Sequence, residues 1–474
     1  MVAEKTESPP RPKPEPAFNP LAQGILPDPV IRDPRADATL VFARLDAALD
    51  RDGITSWLKE VTALVTDLTK PTPLGRVAAI ACGFGPSFFM GTGGPRFGLT
   101  ADRIPADFAE LPTVTVSDSL ANTDVAFYIM STSAAAVARF LQGLAATRPA
   151  LVGVTTARGF QRDDRRELGG FPDGLRNTTS ANRVKIVFVD REEAPQEPDW
   201  LEDGTYMVYL RVKEDLERLA AMSVEDQEKV FGRRKDDGSR LDLPAGTAVK
   251  DEGAITEKMP AAAHTPKAGP RGDHDSVAIF RRGAPFLDLA PDGSVVGGLH
   301  FVSFQSTLAN FETILNRWIL NPGFPTSAAG VDALFAQGLA TIERAGFFVV
   351  PPADPRFIGA GVFDPPRPPV QDIGRLIVHK KVVDANGAPA LIELGGIGFQ
   401  VFGSDGKVIG PVFNTRSNGV AISPDLPLNL PLVLREVTPP ANTDPAADLN
   451  FTLTRRRDLQ VVVNHKHQPG PYGG

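Results

Sequence analysis

Three short segments hold residue types that can do chemistry. Asp173 and Gly174 lie in GGFPDGLRN, His264 and Arg271 in AAHTPKAGPR, and Arg281 and Arg282 in IFRRGAPF. A carboxylate can accept a proton and return it. An imidazole nitrogen can bind a transition metal or carry a proton, and a guanidinium can steady negative charge as it develops. Each segment also has a plain structural reading. P-D-G is ordinary turn chemistry, a lone histidine commonly packs in a core or stands on a surface, and paired arginines beside a glycine suit an exposed strand end.

Composition narrows the classes of function. A chain of 474 residues sets a prior of about three domains at roughly 150 residues each. Lys+Arg 50 against Asp+Glu 57 leaves a net charge of -7, which argues against a nucleic-acid-binding surface. Gly 44 and Pro 44 make up about 19% of the chain, above the roughly 12% of average usage, so turns and loops abound and a helical bundle is disfavoured. The one cysteine, Cys82, excludes an intrachain disulfide and any cysteine-rich zinc or iron–sulfur centre. Apolar runs fall short of the roughly 18 residues of a membrane span, so no transmembrane segment is expected. Residues 1–37 read as a proline-rich, polyproline-like arm with no apolar signal-peptide core, which favours the cytoplasm.

Elements that would position the three segments follow from periodicity. Helical spacing begins near Ala38 and runs through DRDGITSWLKEVTALVTDL, and Val77–Cys82 is a buried strand. DVAFYIMST is a strand and SAAAVARFLQGLAAT an amphipathic helix; VKIVFVD and GTYMVYLRV are strands. KEDLERLAAMSVEDQEKVFG is a helix, GLHFVSFQS a strand and TLANFETILNRWIL a helix. Strands with covering helices, twice over, predict an α+β fold of two duplicated halves, about 38–200 and 201–363. Residues 364–372, with Pro365, Pro366, Pro368 and Pro369, form a stiff linker. Short alternating segments over 373–467, separated by ANGAP, SDGK and RSNG, predict an all-β immunoglobulin- or prealbumin-like sandwich, with 468–474 as a tail.

Taken in order, the three segments resemble the dye-decolorizing peroxidase family over roughly residues 38–360. CGFGPSFF, GTYMVYLRV, DQEKVFGRRKDDG and GLHFVSFQSTLANFETILNRW support the resemblance. It implies two ferredoxin-like halves around one haem b, with His264 as proximal iron ligand. Asp173 would take a proton from hydrogen peroxide and return it to the departing oxygen, and Arg281 would stabilise charge on that oxygen. Arg271 and Arg282 would contact the cofactor, and which of Arg281 and Arg282 is the distal arginine stays open. Activity would favour acidic pH. Partners would be hydrogen peroxide and organic donors such as dyes and phenolics. His274, in a polar loop, and His300, in a buried strand, are weaker ligand candidates; His379, His465 and His467 lie in the separate β region. Ser306 and Thr307 stand where many relatives carry an acid, leaving the partner that orients His264 unassigned. Tyr206, Tyr209 and Trp318 read as core residues. A haem-binding or transfer protein without peroxidase chemistry is the alternative.

Residues 373–467 resemble the collagen-adhesin B-type (CnaB-like) domain, through GRLIVHKKVVDANGAP, FQVFGSDGKV, LVLREVTPP and VVVNHK. The resemblance implies an isopeptide bond between Lys380 and Asn464, assisted by Glu436, and a role in attachment to a protein, surface or shell. Such domains are commonly extracellular, so localisation is left between two compartments, and an oligomer is compatible with either. Lys380 alternates onto the face of Leu376 and Val378. The loop that such a bond closes, about 85 residues, would contribute roughly 4 kcal/mol by chain-entropy arithmetic.

Overall fold

Strand β1 (Asp37–Leu45) buries both of its faces, and that burial governs the first unit. In the computed structural model Val41, Ala43 and Leu45 join one apolar cluster, while Ala38, Leu40 and Phe42 join another. The structure describes residues 25, 37–70, 77–147, 150–177, 180–191, 193–269, 277–365, 373–383, 395–415, 420–428, 430–439, 445–453 and 460–466. Arg271, His274 and most of the proline-rich arm and linker lie outside them. Two compact units divide the chain, Met1–Pro366 and Arg367–Gly474.

The first unit continues with α1 (Arg51–Leu68), β2 (Ala78–Phe84), β3 (Val125–Ser131), α2 (Ala134–Ala146) and β4 (Leu151–Phe160). Asp50 caps α1 by accepting from Gly53 N at 2.8 Å, and Ile54, Trp57, Leu58 and Val61 form its buried stripe. Next come α3 (Ser180–Val187), β5 (Thr205–Glu214), α4 (Leu216–Ala221), α5 (Val224–Phe231) and the short α6 (His264–Ala268). The unit ends with β6 (Ala284–Leu289), β7 (Val295–Gln305), α7 (Leu308–Glu312), α8 (Ala333–Ala336) and β8 (Ala340–Val350). Spatial order is β4-β1-β3-β2 in one half and β8-β5-β7-β6 in the other, each with antiparallel neighbours. Both halves thus place their strands fourth, first, third, second. Val349 of β8 pairs with Phe84 of β2 and joins the two. The cluster that contains Phe42, Tyr128, Met130, Tyr209 and Phe348 draws on both halves and on α3, while α1, α2 and α7 cover the opposite faces.

Several expectations are corrected. Residues 38–45 are strand, not the start of a helix, because a strand buried on both faces loses its period-two signal. VKIVFVD is no strand: α3 runs to Val187, and burial of Val187, Phe188 and Val189 overrides the strand propensity of its β-branched residues. The helix expected over KEDLERLAAMSVEDQEKVFG splits, since β5 runs on to Glu214 and Ser223 caps a second helix by accepting from Asp226 N at 3.1 Å. TLANFETILNRWIL changes from α to π winding at Thr313–Ile319. Tyr206, Tyr209 and Trp318 are buried as expected.

The second unit contains β9 (Ile377–Val383), β10 (Gly398–Gly403), β11 (Val408–Asn414), β12 (Val420–Ile422), β13 (Pro431–Thr438), β14 (Leu449–Thr452) and β15 (Gln460–Lys466). They form one sheet in the order β12-β9-β15 and another in the order β11-β10-β13-β14. Leu376, Val378 and Ala421 pack with Phe399, Val401, Leu432 and Phe451 in a single core. First and last strands lie side by side and parallel, Lys380 opposite Val463 and Lys381 opposite Asn464.

His300 on β7 is buried, its Nδ1 3.1 Å from the Tyr209 hydroxyl and its ring 4.5 Å from that of Phe286. Burial, reinforced by Arg211, pushes its pKa down from 6.5 to about 4. The unfolded chain therefore binds this proton first. Stability from His300 is fully present above about 6.5 and is lost as pH falls toward about 4. Urea denaturation across that window should register a loss of up to roughly 3 kcal/mol, absent in His300→Gln; equal slopes in both proteins would contradict the assignment.

Candidate functional site

The turn that carries Asp173 is a short hairpin. Asp173 N donates to Arg165 O at 3.0 Å, Glu167 N donates to Phe171 O at 2.9 Å, and Arg166 pairs with Pro172 between them. That register puts Glu167 and Asp173 on one face as diagonal neighbours. Gly174 closes the turn at φ +75, a left-handed backbone that suits glycine, and its N–H reaches Asp173 Oδ1 at 2.5 Å. Asn177 then stitches the turn to the strand carrying Arg281. Its Nδ2 donates to Arg281 O at 2.7 Å and its Oδ1 accepts from Arg281 N at 3.0 Å.

The basic segment after α5 braces this turn. Arg166 donates to Gly170 O, Lys235 O and Asp236 O at 2.8, 2.5 and 2.6 Å. Arg233 grips both oxygens of Glu252 at 2.6 and 3.0 Å, and Arg176 of the turn reaches the same carboxylate at 3.4 Å. Arg240 is fully buried, paired with Asp242 and donating to Gly253 O at 2.7 Å and Ala254 O at 3.0 Å. These paired charges are scaffolding for the loop, as their burial requires.

Arg281 and Arg282 part company. Arg281 pairs in register with Ser303 of β7, and its charge acts on the Glu167 carboxyl. Arg282 is buried in the core shared by the two halves, its Nε 3.1 Å from Met130 Sδ and its carbonyl accepting from the Tyr128 hydroxyl. The two arginines therefore meet different neighbours. Adjacent strand residues face opposite sides, which is the physical reason.

Three carboxyl groups meet near the turn. Burial, then the charges of Asp173 and Glu214, hold the Glu167 carboxyl well above the usual carboxylate range; Arg281 opposes them. Burial raises Glu214 to about 7. Neither glutamate was singled out from sequence. The signal for Glu167 was there in its hairpin spacing to Asp173, but it needed the turn's register to be legible.

His264 opens the one-turn helix α6. Its Nδ1 lies 2.7 Å from Oδ2 of Asp332, whose side chain is fully buried and whose Oδ1 accepts from Leu334 N at 2.9 Å, capping α8. Asp332 thus supplies the partner left unassigned from sequence. Thr307 does other work, donating to Asp107 Oδ2 at 2.8 Å and capping α7. An N–H donated from Nδ1 leaves the Nε2 lone pair available, and among the described residues no partner for Nε2 is found. One turn on, the buried Lys267 donates to the carbonyls of Asn321 at 2.6 Å, Gly330 at 2.9 Å and Phe324. Lys267 therefore ties the helix bearing His264 to the loop that delivers Asp332. Arg271, in the same sequence segment, lies outside the described residues.

In the second unit Lys380 and Glu436 are both wholly buried, with Nζ and Oε1 2.8 Å apart. Glu436 Oε2 also accepts from Ala446 N at 2.6 Å. Asn464 lies inside β15, and its register partner is Lys381.

Comparison with known proteins places the first unit among relatives. Residues 164–354 match the family model for the Dyp-type peroxidase, C-terminal region. Over 243 residues the chain is 28% identical to the Deferrochelatase of Escherichia coli and equally to that of Shigella boydii, covering 47% of this chain and 57% of each relative. The chain thus spans little more than half the length of these curated relatives. A solved structure of DtpA from Streptomyces lividans aligns at TM-score 0.57 and 24% identity, over 70% of this chain and 93% of that one. A DyP-type peroxidase from Cellulomonas bogoriensis aligns at TM-score 0.58 and 20% identity, over 74% and 99%. Rhodococcus jostii DypB, a variant solved in complex with heme, aligns at TM-score 0.53 and 21% identity, over 67% and 93%. At these identities the likeness establishes the fold.

Removing the Lys267 ammonium leaves three backbone carbonyls without their donor. Lys267→Met should lower stability by about 3 kcal/mol in chemical denaturation and speed amide exchange in 321–332. Unchanged exchange there would contradict the tie to Asp332.

Proposed function

We infer that this chain is a haem-dependent peroxidase of the Dyp type, using hydrogen peroxide to oxidise organic donors such as dyes and phenolics. One observation carries the reading: His264 is oriented through Nδ1 by the buried Asp332 at 2.7 Å, so that its other nitrogen suits a metal. The family match over 164–354 and the alignment with a heme complex support the same cofactor. The paired strand orders support two ferredoxin-like halves.

His264 would hold haem b through Nε2. The bound haem supplies the electrons that break the O–O bond. Asp173 takes the proton from one peroxide oxygen and returns it to the other, which departs as water. Arg281, fixed by Asn177 beside the Asp173 turn, stabilises the negative charge that builds on the departing oxygen. Its link to that turn favours Arg281 over Arg282 as the distal arginine. A second reading follows from the curated relatives' name, Deferrochelatase, which denotes removal of iron from its chelate. There haem is substrate rather than resident cofactor.

The second unit is read as a CnaB-like attachment domain with an isopeptide bond between Lys380 and Asn464. The buried Lys380–Glu436 pair supports it, because a dry carboxyl beside the amine can carry its proton while nitrogen attacks the amide carbon. Ammonia leaves. The register of β9 and β15 sets Asn464 beside Lys381, so the bond needs the last strand shifted by one residue, which would turn Asn464 to the Lys380 face.

Haem-loaded protein should show a Soret band that moves on adding stoichiometric peroxide, and dye turnover should favour acidic pH. Asp173→Asn should cut kcat/KM for peroxide by about a hundredfold or more, and His264→Ala should remove most haem absorbance. Alkaline-optimal turnover that persists in Asp173→Asn would overturn the assignment, and loss of the Soret band with release of iron-free porphyrin would favour the second reading. For the β unit, intact mass should fall short of the sequence mass by one ammonia; an unshifted mass refutes the bond.

A further inference from the structure

Asp173 does not act on its proton alone. Glu167 lies diagonally beside it on the same hairpin face, near enough for the two carboxyls to act on each other. Two ionised carboxylates so placed repel each other, and a single proton held between them relieves that repulsion. Glu167 Oε2 is shielded from solvent and finds no donor among the described residues. The charged groups acting on Glu167 are Asp173, Glu214 and Arg281, with Arg162 interacting more weakly.

We propose that Glu167 is the proton-holding partner of Asp173, the two carboxyls sharing one proton in the active state. This rests on the reading of Asp173 as the distal base. While Asp173 is a carboxylate, the Glu167 O–H donates to it and holds it in place. Asp173 then takes the peroxide proton and passes it to the departing oxygen, returning to the carboxylate that Glu167 steadies. Only protons move between the two groups. Losing the shared proton at alkaline pH leaves two anions where peroxide must bind, which sets an alkaline limit. Burial and the neighbouring negative charges favour the protonated form of Glu167.

Infrared difference spectra between acid and alkaline pH test the shared proton with or without haem. The full-length wild-type protein should show a carbonyl stretch of a buried carboxylic acid that Glu167→Gln removes and Asp173→Asn shifts. A band unaffected by both substitutions, or no band, overturns the proposal. In haem-loaded protein, Glu167→Gln should keep the acid limb of kcat/KM for peroxide and lose the alkaline limb. Its activity relative to wild type should rise about tenfold from acid to alkaline pH; superimposable profiles overturn the proposal. Wild-type protein that binds haem but turns over no peroxide defeats the peroxidase reading instead, and the infrared band then still decides the shared proton.

Discussion

Burial of both faces of one antiparallel sheet is the constraint on which the first unit depends. The core shared by the two halves and the helix-covered faces together take nearly every residue of β1, β2 and β3. A sheet closed in on both sides has little room for chemistry within its strands. Function is thereby pushed to strand ends and connections, where loops normally carry it. Asp173 follows β4, Arg281 precedes β6, and His264 stands on a single helical turn between α5 and β6.

Loops so placed must be held, and the structure adds charge to apolar contacts such as the Phe171–Phe231 stack. Arg166, Arg233 and Arg240 spend their guanidinium donors on backbone carbonyls and on Glu252 and Asp242. Lys267 does likewise for the loop leading to Asp332. A planar guanidinium suits this work because its several donors have fixed directions. The net charge of -7 hides this use of cations, since the arginines that matter most are turned inward.

What the sequence makes legible depends on distance along the chain. The turn of Asp173 carries a local signal, and the division into strand-and-helix halves follows from periodicity. Asp332 could not be found this way. It lies far downstream of His264, in a segment whose local pattern announces only a helix cap. Glu167 was close in sequence to Asp173, yet its relevance comes from a hairpin register that no propensity encodes. Misread elements share one cause. β1 and α3 are decided by what covers them, so their own residue pattern points elsewhere.

The parallel neighbours β9 and β15 have a mechanical meaning. The chain enters the second unit near one end of this strand pair and leaves near the other. Tension applied through the two ends therefore loads the pair lengthwise, in shear. The hydrogen bonds between Ile377–Val383 and Gln460–Lys466 then share the force and must fail together rather than unzip in turn. A covalent link there would add extension-resistance to a joint whose geometry already resists pulling.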